Sequence, residues 1–177
     1  MKLSFMTPIL TFMVIAGVMF YALFYLDPKE IPSELLDKKA PSFALPAVPG
    51  YGDDLSSENL KEGKITLLNV FASWCVACLA EHPTLMELSR QGKIDIYGLN
   101  YKDKPEAAAK WLKRNGSPYK RTGMDLKGRV GIDFGVYGVP ETFIMGPDGT
   151  ILDKIIGPIT EKDLKTRILP RLTGDAG

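Results

Sequence analysis

Cys75 and Cys78 are the only cysteines in the chain, and two residues separate them. A thiolate is a nucleophile. Two thiols this close can attack a disulfide in turn, the first forming a mixed disulfide and the second releasing the partner, so the spacing points to thiol–disulfide exchange. Cys75, the earlier and less enclosed residue, is the expected nucleophile, and Cys78, one turn further in, the resolving one. Three duller roles compete. A structural disulfide gains stability by closing a long loop, and this ring is very small. A zinc site takes about four ligands, and the only other soft ligand is His82, expected to be an exposed helix residue. Haem attachment needs a histidine directly after the second cysteine, where Leu79 stands. No metal and no cofactor are expected.

The surrounding residues say how the pair is positioned. Ile65 to Phe71, ITLLNVF, is a short apolar run of strand formers. Leu79, Met86 and Leu88 follow at roughly helical spacing, up to Gln91-Gly92, where glycine can close a helix. The cysteines therefore fall where a strand turns into a helix. Unpaired backbone N–H groups and the positive end of the macrodipole favour an anion there. Pro83 should remove one hydrogen bond from that helix and bend it.

Ile94 to Leu99 reads as a second central strand, and Pro105 to Arg114 as a crossover helix with Asp103 as its cap. Strand, helix, strand, helix is the pattern of a parallel βαβ unit. Phe43 to Val48 is a possible edge strand limited by Pro46, and short helices are expected near Ser57 to Lys61 and Lys127 to Phe134. Thr142 to Met145 and Thr150 to Ile156 flank the turn residues Gly146-Pro147-Asp148-Gly149, the pattern of an antiparallel hairpin. Thr160 with Asp163 starts a last helix that Pro170 limits. The fold class is α/β, a mixed central sheet with helices on both faces.

Composition narrows the rest. In 177 residues the net charge is +1, and the lysines and arginines are dispersed among nearly as many acids, so no basic field exists for nucleic acid. Phe5 to Leu26 carries no charge; at about 1.5 Å per residue such a helix crosses a hydrocarbon core of about 30 Å. The run ends in bulky Phe24, Tyr25 and Leu26 rather than at small residues, so an uncleaved signal-anchor is favoured over a cleaved signal peptide. Tyr21 and Tyr25 suit the outer interface. Lys2 and the terminal amine stand against Lys29, Lys38 and Lys39, so the charge count alone leaves orientation open. The expected organisation is a short tail over 1–4, cytoplasmic in the orientation the resemblance below implies, a transmembrane segment over 5–26, a proline-containing linker over 27–41 and a globular domain over 42–177.

WCVAC at a strand-to-helix junction, Pro83 in the following helix and a GVP segment before the final hairpin together resemble a thioredoxin-like domain, from about Phe43 to Leu172. More narrowly, NVFASWCVACLAEHP, GLNYKD and GVYGVPETF are similar to the membrane-anchored DsbE/CcmG family of thiol:disulfide interchange proteins, which act in cytochrome c maturation. The resemblance implies a single-pass anchor in the bacterial inner membrane with the catalytic domain in the periplasm. It implies electrons arriving from a transmembrane donor of DsbD or CcdA type and leaving to apocytochrome c or its thiol-carrying chaperone.

It further implies a cis Val139–Pro140 bond facing the cysteines, whose neighbouring backbone pairs with an extended substrate. Trp74 would give a flat contact surface beside Cys75. Both Glu81 and Glu141 are placed near the disulfide, where negative charge opposes thiolate formation, raises the thiol pKa and makes the domain a reductant. Glu141→Gln is then expected to lower the thiol pKa. For Glu81 the alternative is a solvated acid in the first helical turn. Two features depart from cytosolic thioredoxin. The position six before the first cysteine is Asn69 rather than a buried aspartate, so Glu81 is the candidate base for Cys78; and CVAC lacks the usual proline. A general membrane-tethered reductase and a copper-chaperone-like metal module are the other functions considered.

Overall fold

The computed structural model describes residues 6–25 and 35–173. The tail over 1–4, Phe5 and Leu26, linker residues 27–34, the lysines Lys2 and Lys29 of the charge count and the side chain of Tyr25 lie outside the described residues. The chain divides into two units, Met1–Pro32 and Ser33–Gly177.

In the first unit, helix α1 runs Met6–Tyr25. Its described side chains are mostly apolar and exposed around the axis, Leu23, Phe12 and Met19 among them. A helix that is apolar all round needs an apolar medium. The window Thr7–Phe24 is long and apolar enough to cross a membrane.

The second unit is built on a five-stranded sheet. In chain order its elements are β1 (Ala44–Leu45), β2 (Leu55–Ser56), a 3-10 turn (Ser57–Lys61), β3 (Thr66–Phe71), α2 (Val76–Gln91), β4 (Asp95–Tyr101), α3 (Pro105–Asn115), β5 (Arg121–Asp125), α4 (Arg129–Asp133), β6 (Glu141–Met145) and β7 (Ile151–Ile156). A C-terminal helix follows in three consecutive pieces, Glu161–Asp163, Leu164–Ile168 and Leu169–Thr173, together called α5. Strand order is β5-β4-β3-β6-β7, with β3 parallel to β4, β4 parallel to β5, and β6 and β7 antiparallel.

Every residue of β3 is buried, as a central strand covered on both faces requires. Its side chains alternate between two cores. Leu67 and Phe71 join α2 (Leu85, Leu88), α3 (Ala108, Trp111, Leu112) and Ile168 of α5. Leu68 and Val70 face Leu60 of the 3-10 turn and Val130 and Phe134 at α4. Helices therefore lie on both faces, in the thioredoxin-like arrangement that the resemblance implied. Gly92, at φ +65, closes α2 by donating to Ser89 O.

The structure departs from the expectations at five points. β5 is a strand although its sequence, RTGMD, offers one large apolar residue. Pairing with β4 decides it, and Gly123 leaves room for Leu45 and Leu55 packed against it. The edge strand near Phe43 is only the two-residue β1, paired with β2. Residues 35–41 are not a free spacer: Asp37 N–H donates to Ile151 O, Ile151 N–H to Lys38 O and Ala40 N–H to Gly149 O, and Lys39 pairs with Asp148. Asp103 does not cap α3; Lys104 occupies that position with Pro105 next, where a missing N–H costs nothing. Pro170 does not end the last helix. The π-helical stretch Leu164–Ile168, in which Leu169 N–H reaches back to Leu164 O, precedes it and widens the turn that the proline ring would otherwise strike.

Both edges of the sheet are covered. Along β7 run residues 37–40, and Arg167 of α5 donates to Lys154 O. Beside β5, Val48 N–H donates to Thr122 Oγ1, Met124 N–H to Pro46 O, and Asp53 bridges Arg121.

Gly98 in β4 is required by packing rather than by backbone angle. An added Cβ would lie 2.8 Å from Tyr119 Cγ and 3.0 Å from Phe71 Cε1, inside a pair of rings stacked at 4.7 Å. Gly98→Ala is expected to destabilise the unit starting at Ser33 by about 1–3 kcal/mol in urea denaturation. An unchanged midpoint would mean that the rings yield freely.

Candidate active site

The turn Ala72–Cys75 between β3 and α2 is fixed by one carboxylate. Asp103 Oδ2 accepts from Ser73 N–H at 2.6 Å and from Asn100 Nδ2 at 3.2 Å, while Oδ1 accepts from Ser73 Oγ at 2.8 Å and from Lys104 N–H at 2.8 Å. Trp74 then hangs on the rim, its Nε1 donating to Lys102 O at 3.2 Å and its ring 57% exposed. Cys75 ends the turn as the N-cap of α2, its Sγ accepting from Cys78 N–H at 3.0 Å. The sulfurs are joined as a disulfide, with Cα atoms 5.3 Å apart. Cys75 is 7% exposed and Cys78 1%, the asymmetry that the spacing suggested.

One turn after Cys78 on the same helix, Glu81 enters a buried polar network. Asn69 of β3 donates through Nδ2 to Glu81 Oε1 at 2.8 Å and to Thr142 Oγ1 at 2.9 Å, and its Oδ1 accepts from Tyr119 Oη at 2.8 Å. The second oxygen of Glu81 accepts from Ile159 N–H at 2.9 Å. Glu81 is 2% exposed, so it is not the solvated first-turn acid of the alternative view. Burial pushes its carboxyl up to about 7, against the lowering by the Ile159 and Asn69 hydrogen bonds. Burial, and then the neighbouring Glu81 charge, hold the Tyr119 phenol well above its ordinary value.

His82 is also buried, not exposed as expected. Its ring stands edge-on to Trp111 at 4.6 Å, and Nε2 lies 3.2 Å from Asn115 O; because a carbonyl only accepts, that nitrogen carries the hydrogen. Burial lowers its pKa, opposed by the Asn115 and Gly116 backbone. Among the described residues no three of His, Cys, Asp and Glu gather as a metal-binding group.

The Val139–Pro140 bond is cis, Pro140 is buried and Val139 packs against the core that contains both cysteines. It enters β6 at Glu141, opposite Val70, so it lies at the end of the sheet from which the cysteine turn departs. Glu141 is not a bare charge. Its Oε1 accepts from Tyr137 N–H at 3.0 Å and Gly138 N–H at 3.3 Å, and its Oε2 lies 3.0 Å from Lys154 Nζ. Trp74, Val76, Leu79 and Tyr137 are large apolar residues left exposed.

Sequence reasoning did not find Asp103 as the anchor of the cysteine turn, nor Tyr119 and Lys154 as parts of this region. Asp103 lies in GLNYKD, and only the contact with Ser73, thirty residues away, reveals its work. Lys154 is a lone cation within a mostly apolar strand, which was the one available signal.

A CxxC pair capping the first helix after a central strand, with a cis proline entering the neighbouring antiparallel strand, defines a thioredoxin-like thiol:disulfide oxidoreductase. Residues 35–168 match the Redoxin family model. The chain is 42% identical over 163 residues to the thiol:disulfide interchange protein DsbE of Pseudomonas aeruginosa, covering 92% of this chain and 89% of that one. It is 41% identical over 169 residues to the thiol:disulfide interchange protein HelX of Rhodobacter capsulatus, covering 96% and 95%. A solved DsbE-type protein from Chlorobium tepidum superposes with a TM-score of 0.66 at 28% identity, over 77% of this chain and 99% of that one. The chain belongs to the Redoxin family and, within it, to the thiol:disulfide interchange proteins of DsbE type.

The raised carboxyl of Glu81 has a measurable sign. Its folded pKa of about 7 lies above its ordinary 4.5, so the stability tied to the neutral acid is fully present below about 4.5 and is lost as pH rises through about 7. The stability difference between the wild type and Glu81→Gln should shrink by about 2–3 kcal/mol between those pH values in urea denaturation. A difference independent of pH would mean that Glu81 ionises as a solvated acid.

Proposed function

We propose that the protein is a reductant of apocytochrome c, or of the chaperone that carries its thiols, during cytochrome c maturation, anchored by α1 in the bacterial inner membrane with its catalytic unit in the periplasm. The observation that carries the reading is a disulfide of unequal exposure at the start of a helix that carries, one turn after Cys78, a buried carboxyl with a raised pKa.

In the reduced form, Cys75 Sγ, at the edge of the fold, attacks a substrate disulfide. A mixed disulfide forms and one substrate sulfur leaves, taking up a proton. Cys78 then attacks Cys75 Sγ, the mixed disulfide breaks and the second substrate thiol leaves. Two electrons have passed to the substrate, and the Cys75–Cys78 bond has formed. Glu81 supports the second step as the group that accepts the Cys78 proton; its pKa near 7 matches that task. When ionised, the same carboxylate disfavours thiolate on the cysteines, which destabilises the reduced form and makes the pair a donor of electrons.

Substrate would lie along the backbone beside Val139 and Pro140 and against Trp74, an extended segment paired with main chain. A transmembrane donor of DsbD or CcdA type returns two electrons and restores the dithiol. The names DsbE and HelX, borne by relatives at about 40% identity, support the interchange chemistry.

Cys75→Ser should abolish reduction of a disulfide-bonded CxxCH peptide, whereas Cys78→Ala should accumulate a mixed disulfide on Cys75. In cells, proteins trapped on Cys78→Ala are identified by mass spectrometry after non-reducing purification. Apocytochrome c or its chaperone is the expected catch; a broad collection of unrelated proteins would instead make this a general reductase.

A further inference from the structure

Lys154 lies in β7 opposite Phe143 of β6, and its side chain is only 3% exposed. A buried ammonium is tolerated only when its donors are matched. Its partners are Glu141 Oε2 at 3.0 Å, Gly135 O at 2.6 Å and the face of the Tyr137 ring at 4.4 Å, with the Phe143 ring at 5.4 Å. Gly135, Tyr137 and Glu141 all belong to the stretch that leads into and out of Val139–Pro140. Glu141 grips the same stretch with its other oxygen, through the N–H groups of Tyr137 and Gly138. One cation thus ties the start of the loop, its exposed aromatic and the carboxylate that closes it. Tyr137 stays 68% exposed while the ammonium lies over its ring.

We propose that Lys154 is a positioning residue for substrate docking: its ammonium latches residues 135–138 in the shape that leaves the backbone beside Pro140 and the ring of Tyr137 open to an extended peptide. The latch rests on the reading of Cys75–Cys78 as the exchange centre. It touches neither sulfur, so its loss falls on KM and not on kcat. Arginine can keep both the charge and the carbonyl contact, while methionine keeps only the bulk.

The test uses the full chain in detergent, reducing a synthetic peptide that carries a disulfide-bonded CxxCH segment, with oxidised glutathione as a second oxidant. Lys154→Met should raise KM for the peptide about tenfold at nearly constant kcat, and Lys154→Arg should stay within about threefold of wild type. Lys154→Met leaves the Glu141 carboxylate buried without its counter-charge, which endangers folding. Glu141→Gln/Lys154→Met is therefore measured against Glu141→Gln and should show the same rise in KM. An unchanged KM in the folded double variant, or a fall in kcat matching the rise in KM, overturns the latch. A wild-type protein that reduces neither peptide nor oxidised glutathione overturns the exchange reading, and the latch with it.

Discussion

The hydrogen bond from Asn69 to Glu81 is the interaction on which the site depends. A carboxylate taken out of water must find donors, and here one amide supplies a donor while its other end accepts from Tyr119. Through that single side chain the central strand, the cysteine helix, Thr142 of β6 and the phenol that follows α3 are held in one register. The Ile159 N–H closes the ring from the segment before α5. An aspartate at position 69 could not serve in this way. It would set two carboxylates against each other where an amide now both gives and accepts, and one of them would have to stay protonated.

Two acids were expected to colour the sulfurs alike, and the fold treats them differently. Glu81 has neutral partners only, so its charge is set by burial and responds to pH. Glu141 faces an ammonium at 3.0 Å and two backbone donors, so its field is largely cancelled within the pair. Its other oxygen holds the loop before the cis proline through the Tyr137 and Gly138 N–H groups.

Much of this was legible in the chain. The apolar run ITLLNVF, the glycine after Gln91 and the turn between β6 and β7 are local signals, and each marked its element. The cysteine pair was legible from its own spacing, whereas Pro140 and the two acids entered through the family resemblance, and the fold buries all three. What escaped depends on distant partners. RTGMD becomes β5 through pairing with β4, not through its own preferences. Asp103 reads as a cap until Ser73 takes its oxygens. His82 reads as exposed because the helix around it is mixed in character, and only Trp111 and the Asn115 carbonyl explain its burial. Lys38 to Ala40 look like spacer because nothing in their composition announces that they lie along β7.

The covered edges of the sheet carry a consequence for any protein held at high local concentration, as the proposed anchor would hold this one. Molecules confined to a surface meet one another at far higher effective concentration than the same molecules in bulk, and an open strand edge then becomes a template for fibrous self-association. Here residues 37–40 and Arg167 sheathe one border and the segment from Pro46 to Asp53 the other. Covered in this way, neither border offers a second copy a free row of main-chain donors and acceptors along these segments, which removes a template for stacking.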